Sequence, residues 1–287
     1  MKKIISFVMC LLAISSTISA SSSTTVLLQH GENVTHFNAD KIGDAFEAAN
    51  DGDVIYLNEG TYPAFNITKK VYVKGVGSLT IINGDINIAI PNEPTLEEPI
   101  LEYLNVSGLV SITKSTKGLR LKQCRIESVS FDAITEDAYI DRCNLYANAN
   151  RNNRSLVIDK TYKTTITVDD ETTTYEYPYV KKLTVTNSYV KGPADNSICP
   201  NTSYINCNID TRSANGYGDI NLDGGYYINC ILVCYYVNNI SEIRDATLIN
   251  SYYQGNPAFY NCKKSNCYNG NDFSICTVGD SYQLAIR

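Results

Sequence analysis

Ile205-Asn206-Cys207-Asn208-Ile209 is one copy of a short unit that recurs along most of the chain. Each copy has a cysteine or serine, then a variable residue, then an apolar or aromatic residue. The two defining positions are Cys124/Ile126, Cys143/Leu145, Ser188/Val190, Cys207/Ile209, Cys230/Leu232 and Ser251/Tyr253. Copies follow one another at about 20 residues, with one longer gap from Cys143 to Ser188. Such a period indicates a solenoid in which each copy belongs to one coil.

The chemistry of the unit predicts how each coil is built. Residues two apart on a strand point to the same side, so the cysteine or serine and the apolar residue both face inward. A thiol packs there as a small, nearly apolar group. The preceding residue is often asparagine, as at Asn187 and Asn206, and asparagine favours turns. We therefore expect an all-β, single-stranded right-handed parallel β-helix, with asparagine amides hydrogen-bonded from coil to coil.

The segment before the repeats predicts a cap for the solenoid. Residues 26–28 and 54–57 have strand patterns, and residues 59–62 indicate a turn. Residues 40–50 place apolar side chains at helical spacing, with Asn38 or Asp40 as the N-cap. This capping helix should cover the open edge of the first coil, which would otherwise invite aggregation.

The 45-residue gap predicts an insertion at about 160–181. Its sequence has two polar strands, rich in threonine and tyrosine, around the turn at 169–171, which indicates a β-hairpin. A protrusion from a regular scaffold is either a functional element or a tolerated loop.

A leucine-rich-repeat solenoid is the alternative fold. Leu119-x-Leu121-x-x-Cys124-x-Ile126 matches that repeat, which carries a helix or 3-10 segment in each coil. Later units are one residue shorter, and the stretches between units lack helical periodicity.

A further stretch carries a family resemblance: Ala45-x-x-Ala48-Ala49-x-Asp51-Gly52-Asp53-x-Ile55-x-Leu57-x-x-Gly60-Thr61-Tyr62. It resembles the opening of the pectin-lyase-like β-helix superfamily, in particular the alginate lyase and chondroitinase B group. That superfamily includes polysaccharide lyases, glycoside hydrolases, esterases, adhesins and phage tailspikes. The resemblance implies a β-helix and a carbohydrate-related role. Its catalytic motifs find no match, residue by residue, in this chain.

The N-terminus predicts export. Lys2 and Lys3 precede a short apolar run that ends in small residues at Ala20, as in a signal peptide. We expect residues 1–20 to be removed, one domain at 21–287, and a secreted, periplasmic or cell-surface location without a membrane span. The net charge of −6 excludes a general affinity for nucleic acid.

Cysteine usage leaves two alternatives. Ten cysteines are present, and loss of Cys10 with the signal leaves an odd number. With two histidines and no CxxC pair, the chain offers no suitable set of ligands for zinc. Stacked coils place pairs such as Cys124–Cys143 or Cys207–Cys230 within disulfide range, but their side chains point the same way. The pattern favours reduced, buried thiols.

One segment resembles the first half of a calcium loop. Asp219, Asn221 and Asp223 are oxygen ligands at positions 1, 3 and 5, followed by Gly224. In a strand the three would share one outer face, with Leu222 pointing inward. A solvated strand face is the competing interpretation.

Two groups of charged residues are candidates for acid–base chemistry. Asp210 and Arg212 could neutralise a uronate and remove a proton from it, as a polysaccharide lyase requires. Neighbouring coils also bring together a mixed cluster: Lys122, Arg125, Asp132, Asp141 and Arg142. Ordinary ion pairs on an outer sheet are the competing interpretation for both groups.

Tyrosine is unusually frequent, with 22 residues, and tryptophan is absent. Tyr189 and Tyr252 follow the serine of their units and should point outward, while Tyr175, Tyr177 and Tyr179 line the predicted hairpin. Exposed tyrosines suit sugar rings or a protein partner, although tyrosine also packs well on any sheet surface.

Three functional hypotheses follow. The preferred one is a secreted or surface β-helix protein that binds carbohydrate or a cell-surface partner without catalysis. The second is a calcium-dependent lyase acting on an acidic polysaccharide. The third is a structural or adhesive surface protein.

Overall fold

The chain forms a parallel β-solenoid of about nine turns, which confirms the predicted all-β β-helix. The computed structural model describes residues 25–148, 154–158, 161–168, 171–192, 201–211, 222–234, 242–255 and 257–269. The predicted signal peptide lies outside these residues.

An antiparallel unit and one helix close the N-terminal end of the solenoid. The elements are β1 (Thr25–His30), β2 (Asn33–Asn38), a 3-10 turn (Ala39–Lys41), α1 (Ile42–Ala48) and β3 (Val54–Leu57). Strand β1 lies between β2 and β3 and runs antiparallel to both. Helix α1 packs against β1 and β2, so the predicted capping helix is confirmed. The predicted N-cap is wrong, because α1 begins after Lys41 and neither Asn38 nor Lys41 makes a side-chain cap bond.

Parallel coils follow. Their strands are β4 (Gly60–Ile67), β5 (Tyr72–Lys74), β6 (Thr80–Ile88), β7 (Leu101–Glu102), β8 (Asn105–Ile112), β9 (Thr116–Lys117), β10 (Arg120–Lys122), β11 (Arg125–Phe131), β12 (Thr135–Glu136), β13 (Ala138–Asp141), β14 (Asn144–Leu145) and β15 (Leu156–Val157). The turn predicted at 59–62 is wrong, because β4 already begins at Gly60. Tyr62 points into the core there, and its hydroxyl donates to the Thr25 carbonyl at 2.8 Å.

The predicted hairpin then interrupts the coils, formed by β16 (Thr161–Val168) and β17 (Glu171–Pro178). The remaining strands are β18 (Leu183–Thr186), β19 (Tyr189–Lys191), β20 (Thr202–Ile205), β21 (Asn208–Asp210), β22 (Leu222–Asp223), β23 (Tyr226–Ile228), β24 (Ile231–Cys234), β25 (Glu242–Arg244), β26 (Thr247–Ile249), β27 (Tyr252–Gly255), β28 (Ala258–Tyr260), β29 (Lys263–Ser265) and β30 (Tyr268–Asn269).

The strands stack into two long sheets and a broken third face. The first sheet has the order β2-β1-β3-β5-β7-β10-β13-β18-β20-β23-β26-β29. The second has the order β4-β6-β8-β11-β14-β19-β21-β24-β27-β30, with β15 also paired to β11. Small sheets β9-β12 and β22-β25-β28 form the third face. The leucine-rich-repeat alternative is wrong, since the described segments between units are strands and turns.

The repeated unit occupies the turn from the first sheet to the second. Its cysteine or serine is at most 2% exposed in every copy, so the predicted inward position is confirmed. The preceding residue adopts a left-handed conformation in every copy, with φ of 55° at Asn206 and 52° at Asn229. Asparagine tolerates that conformation better than most residues. The Asn229 amide donates to Asn206 at 3.3 Å, and the Asn206 amide donates to Asn187 at 3.2 Å.

All seven described cysteines are free thiols. The Cys230 sulfur donates to the Tyr204 carbonyl of the preceding coil at 3.2 Å. Burial, together with the neighbouring Cys124 thiol, raises the pKa of Cys143 well above its ordinary value. Cys143 therefore stays protonated, and the buried cysteines serve as small core side chains with weak hydrogen bonds.

Candidate binding surface

The hairpin stands apart from the solenoid core and has two different faces. Facing residues of an antiparallel pair project to the same side, so the register assigns each side chain to a face. Tyr162 lies opposite Tyr177, and Thr164 lies opposite Tyr175. The alternating positions carry threonines, a lysine and a glutamate. The hairpin is therefore amphipathic, although its strands are exposed on both sides.

The first side, which we name the tyrosine face, carries Tyr162, Thr164, Ile166, Glu171, Thr173, Tyr175 and Tyr177, and Tyr179 stacks on Tyr162 at its base. Its rings form a continuous row. The ring centroids of Tyr175 and Tyr177 are 6.3 Å apart, and Tyr162 lies 5.7 Å from both Tyr177 and Tyr179. Tyr175 and Tyr177 are 44% and 41% exposed, so the row offers its aromatic surface to solvent.

The opposite, polar face is held together by side-chain hydrogen bonds. The hydroxyls of Thr165 and Thr174 are 3.4 Å apart, and those of Thr167 and Thr172 are 3.1 Å apart. Cross-strand threonine pairs of this kind stabilise antiparallel strands. These pairs add to the backbone hydrogen bonds of the hairpin, whose described residues lie outside the hydrophobic core cluster.

The base of the hairpin is fixed to the preceding coil. Thr135 forms a parallel bridge with Val180, which is fully buried. The Lys181 ammonium lies 2.5 Å from a Glu136 carboxylate oxygen, and this hydrogen bond raises the pKa of Lys181. The tyrosine face is thus presented from a fixed point on the scaffold, which reduces the cost of ordering it on binding.

The other two candidate tyrosines lie elsewhere, on the second sheet. Tyr189 and Tyr252 occupy the same outward register column, with Asn208 and Ile231 between them. Tyr252 is followed in that column by Tyr268. Both side chains are half-buried, as expected for outward residues between coils. The structure brings these two into one column but leaves them in a different group from the hairpin tyrosines.

Asp210, the first candidate for acid–base chemistry, lies buried at the end of β21. Asp210 is only 2% exposed, and the Tyr189 hydroxyl donates to its carboxylate at 3.2 Å. Tyr189 is therefore engaged in a structural contact. Arg212, the proposed partner of Asp210, lies outside the described residues.

The calcium candidates are only partly described. Asp219 and Asn221 lie outside the described residues, and of Asp223 only the backbone is described, in β22. Leu222 is fully buried, as the strand interpretation expected. Within the ranges that the structure describes, no group of three or more histidine, cysteine or acidic residues could hold a metal ion.

The mixed charged cluster is divided between two sheets. Lys122 and Asp141 lie on the first sheet, whereas the Arg125 guanidinium stacks 3.9 Å from the centre of the Tyr146 ring on the second. The Lys122 ammonium instead lies 2.7 Å from the carboxylate of Glu102, a buried residue, and Lys74 lies 3.5 Å from it. Lys74, Glu102 and Lys122 lie in one register column and form ion pairs between coils, as ordinary ion pairs on an outer sheet do.

The sequence pattern did not identify Tyr162 and Ile166 as large side chains of the tyrosine face. Their alternation with Lys163 and Thr165 in β16 was the available signal. It was weak, because threonine occupies both faces and blurs the period of two that marks an amphipathic strand.

Among the described residues, no helix has the length and apolar character needed to cross a lipid bilayer. Comparison of the chain with protein-family models, with curated proteins and with solved structures gave no match.

Proposed function

We propose that this is a secreted or surface β-helix protein that binds carbohydrate, without catalysis, through the tyrosine face of its hairpin. The observation that carries the proposal is the exposed row of stacked rings at Tyr175 and Tyr177. Large aromatic side chains are normally buried, because their burial contributes most to core and interface energies. A row left open on a fixed protrusion favours a binding role.

The chemistry of a tyrosine row suits a saccharide chain. A tyrosine ring offers a flat apolar surface for the C–H faces of a sugar, and its hydroxyl hydrogen-bonds sugar hydroxyls. Several rings in line extend this contact over successive sugar units, which favours a polysaccharide over a single monosaccharide. The net charge of −6 gives no long-range attraction to an acidic polymer, so we favour a neutral glycan.

The resemblance of residues 45–62 to the opening of pectin-lyase-like β-helix proteins supports the carbohydrate class. It supports no particular reaction, because fold and function are only loosely linked. The hairpin tyrosines are absent from that resemblance and carry the proposal by their own geometry.

Binding to polysaccharides tests the proposal. The purified protein should be retarded in gels that contain neutral glycans, and calorimetry with oligosaccharides should give the affinity. Tyr177→Ala should weaken binding at least about ten-fold, as truncation of a central aromatic contact does. Tyr177→Phe should retain most of the affinity if the ring provides the contact.

Tyr226→Ala is the matched control. Tyr226 is 45% exposed, close to the exposure of Tyr177, but it lies on the first sheet of the solenoid. Equal losses in Tyr226→Ala and Tyr177→Ala would contradict the assignment to the hairpin. Retention by no glycan would contradict carbohydrate binding and favour a protein partner. Calcium-dependent release of unsaturated uronate, abolished in Arg212→Ala, would replace binding with the lyase hypothesis.

A further inference from the structure

Among the strands that the structure describes, none pairs with the outer edge of β16. In the described part of the chain, β16 pairs with β17 alone. An isolated two-stranded hairpin is only marginally stable in water, and a third strand adds to its stability. Unpaired backbone N–H and C=O groups along an edge also form a template for another strand. The eight residues of β16 give this edge a full strand length.

The two outer edges of the hairpin differ in how well they resist such pairing. Strand β17 carries Glu171, Glu176 and Pro178, which are the residue types that natural edge strands use against association. Strand β16 carries Lys163 as its single charge and is otherwise rich in β-branched residues, which favour pairing. The edge of β16 is therefore the open one.

We propose that β16 pairs antiparallel with β16 of a second copy of this chain, so that the two hairpins form one four-stranded sheet. A two-fold axis through the sheet makes any antiparallel strand complementary to itself, which is the symmetry of most homodimers. The pairing joins about seven residues of each strand and exchanges about six to eight backbone hydrogen bonds. A second copy of this chain suits the edge for two reasons. An antiparallel pair of identical strands obeys two-fold symmetry, and the single charge of β16, Lys163, need not face its own copy.

Side-chain faces restrict the register of this pairing. Residues opposite one another must lie on the same face, so the two copies can meet only in registers that keep odd positions opposite odd positions. The two registers with the fullest overlap place Thr165 opposite either Thr165 or Lys163 of the second copy. In both registers Lys163 meets a threonine, Thr167 or Thr165, so no like charges oppose each other across the seam.

The dimer also bears on ligand binding, a consequence that rests on the proposed function. The two-fold axis runs through the sheet, so both tyrosine faces point to the same side. Two rows of rings then form one platform, and a polymer that reaches both gains avidity over a short oligosaccharide, which occupies one row.

Sedimentation of the full chain over the micromolar range, with and without the seam substitution Thr165→Lys, tests the proposal. The wild-type protein should dimerise with increasing concentration. Thr165→Lys places a lysine opposite a lysine in both registers and should weaken the dimer about five- to ten-fold. Thr174→Lys is the matched control, because Thr174 lies directly opposite Thr165 on the same polar face but away from the seam. It should leave dimerisation unchanged.

A third variant reports the register. Thr165→Glu should weaken the dimer if Thr165 faces itself and strengthen it if Thr165 faces Lys163, and either result supports the edge pairing. A wild-type chain that stays monomeric, or a dimer equally sensitive to Thr165→Lys and Thr174→Lys, would overturn the proposal. Oligosaccharide affinity is measured on the same variants, so a failure of dimerisation is distinguished from a failure of glycan binding.

Discussion

Two pairs of stacked tyrosines, one inside the coils and one on the hairpin, show how this chain separates stability from recognition. In the coils, Tyr204 and Tyr227 lie 5.2 Å apart with nearly parallel rings, and both are fully buried. On the hairpin, Tyr175 and Tyr177 lie 6.3 Å apart and remain more than 40% exposed. The coil pair fills the core, whereas the hairpin pair leaves its surface available for a partner.

The largest expected difference between the two regions is the cost of removing one ring. Tyr227→Ala opens a cavity in the stack and should lower the free energy of unfolding by about 3–5 kcal/mol. Tyr177→Ala removes an exposed ring and should cost less than about 1 kcal/mol. Urea unfolding followed by far-ultraviolet circular dichroism measures both. Similar losses would mean that the hairpin is part of the cooperative core.

The next largest expected loss of unfolding free energy comes from the inward serine of the repeat. The Ser188 hydroxyl accepts the Cys143 backbone N–H at 3.0 Å and donates to the Thr186 carbonyl at 2.7 Å, inside the coils. Ser188→Ala leaves that buried N–H without its acceptor and should cost about 1–3 kcal/mol. On the hairpin, Thr172→Ala removes an exposed hydroxyl pair and should cost under about 0.5 kcal/mol.

A matched substitution sharpens this test. Ser188→Cys introduces the residue that holds the equivalent position in neighbouring coils and should cost less than Ser188→Ala. Equal unfolding midpoints for the alanine and cysteine variants would show that packing, not the hydrogen bond, sets the requirement at this position.

The sequence predicted the coils better than it predicted the hairpin surface. Cys207 and Ile209 mark an inward face because burial admits few residue types there, and the same choice recurs in each coil. The left-handed turn at Asn206 is likewise restricted by backbone sterics. Tyr162 and Ile166 lie on exposed strands, where neither restriction acts, so the composition of the tyrosine face became clear only from the strand register.

The N-cap of α1 and the charged column around Glu102 could not be predicted from the sequence, for another reason. The pairing of Glu102 with Lys74 and Lys122 depends on register across three coils of unequal length. The Lys41 boundary of α1 depends on a 3-10 turn that replaces the expected side-chain cap. Both features depend on contacts between segments that are distant in sequence or on their exact register, and a local sequence pattern specifies neither.

The asparagine ladder should give a smaller effect than the serine column. Asn206 combines a left-handed conformation with amide bonds to both neighbouring coils. Asn206→Ala loses the amide and strains the backbone, for a cost of about 1–2 kcal/mol. Asn206→Gly loses the same amide but keeps the conformation, so it should cost about half as much. Equal costs for the two variants would assign the whole effect to the amide bonds.

The smallest expected effect is a pH dependence of stability at Asp141, which accepts a hydrogen bond from Asn187 at the end of the asparagine ladder. Burial pushes the pKa of Asp141 upward, but hydrogen bonds from Asn187, Thr186 and Arg142 outweigh it and hold the pKa below its ordinary value. The folded state thus favours the ionised carboxylate. The resulting stability is present above the unfolded-state pKa and is lost as the pH falls through the folded-state pKa.

Asp141→Asn should therefore flatten the loss of stability between about pH 5 and pH 3, by less than about 1 kcal/mol because the carboxylate is partly exposed. Urea unfolding at several pH values measures the slope. Glu176→Gln removes an exposed hairpin carboxylate and is the matched charge control. If Glu176→Gln flattened the slope as much as Asp141→Asn, the acid sensitivity would reflect overall charge, and the distinction between coil and hairpin would not extend to electrostatics.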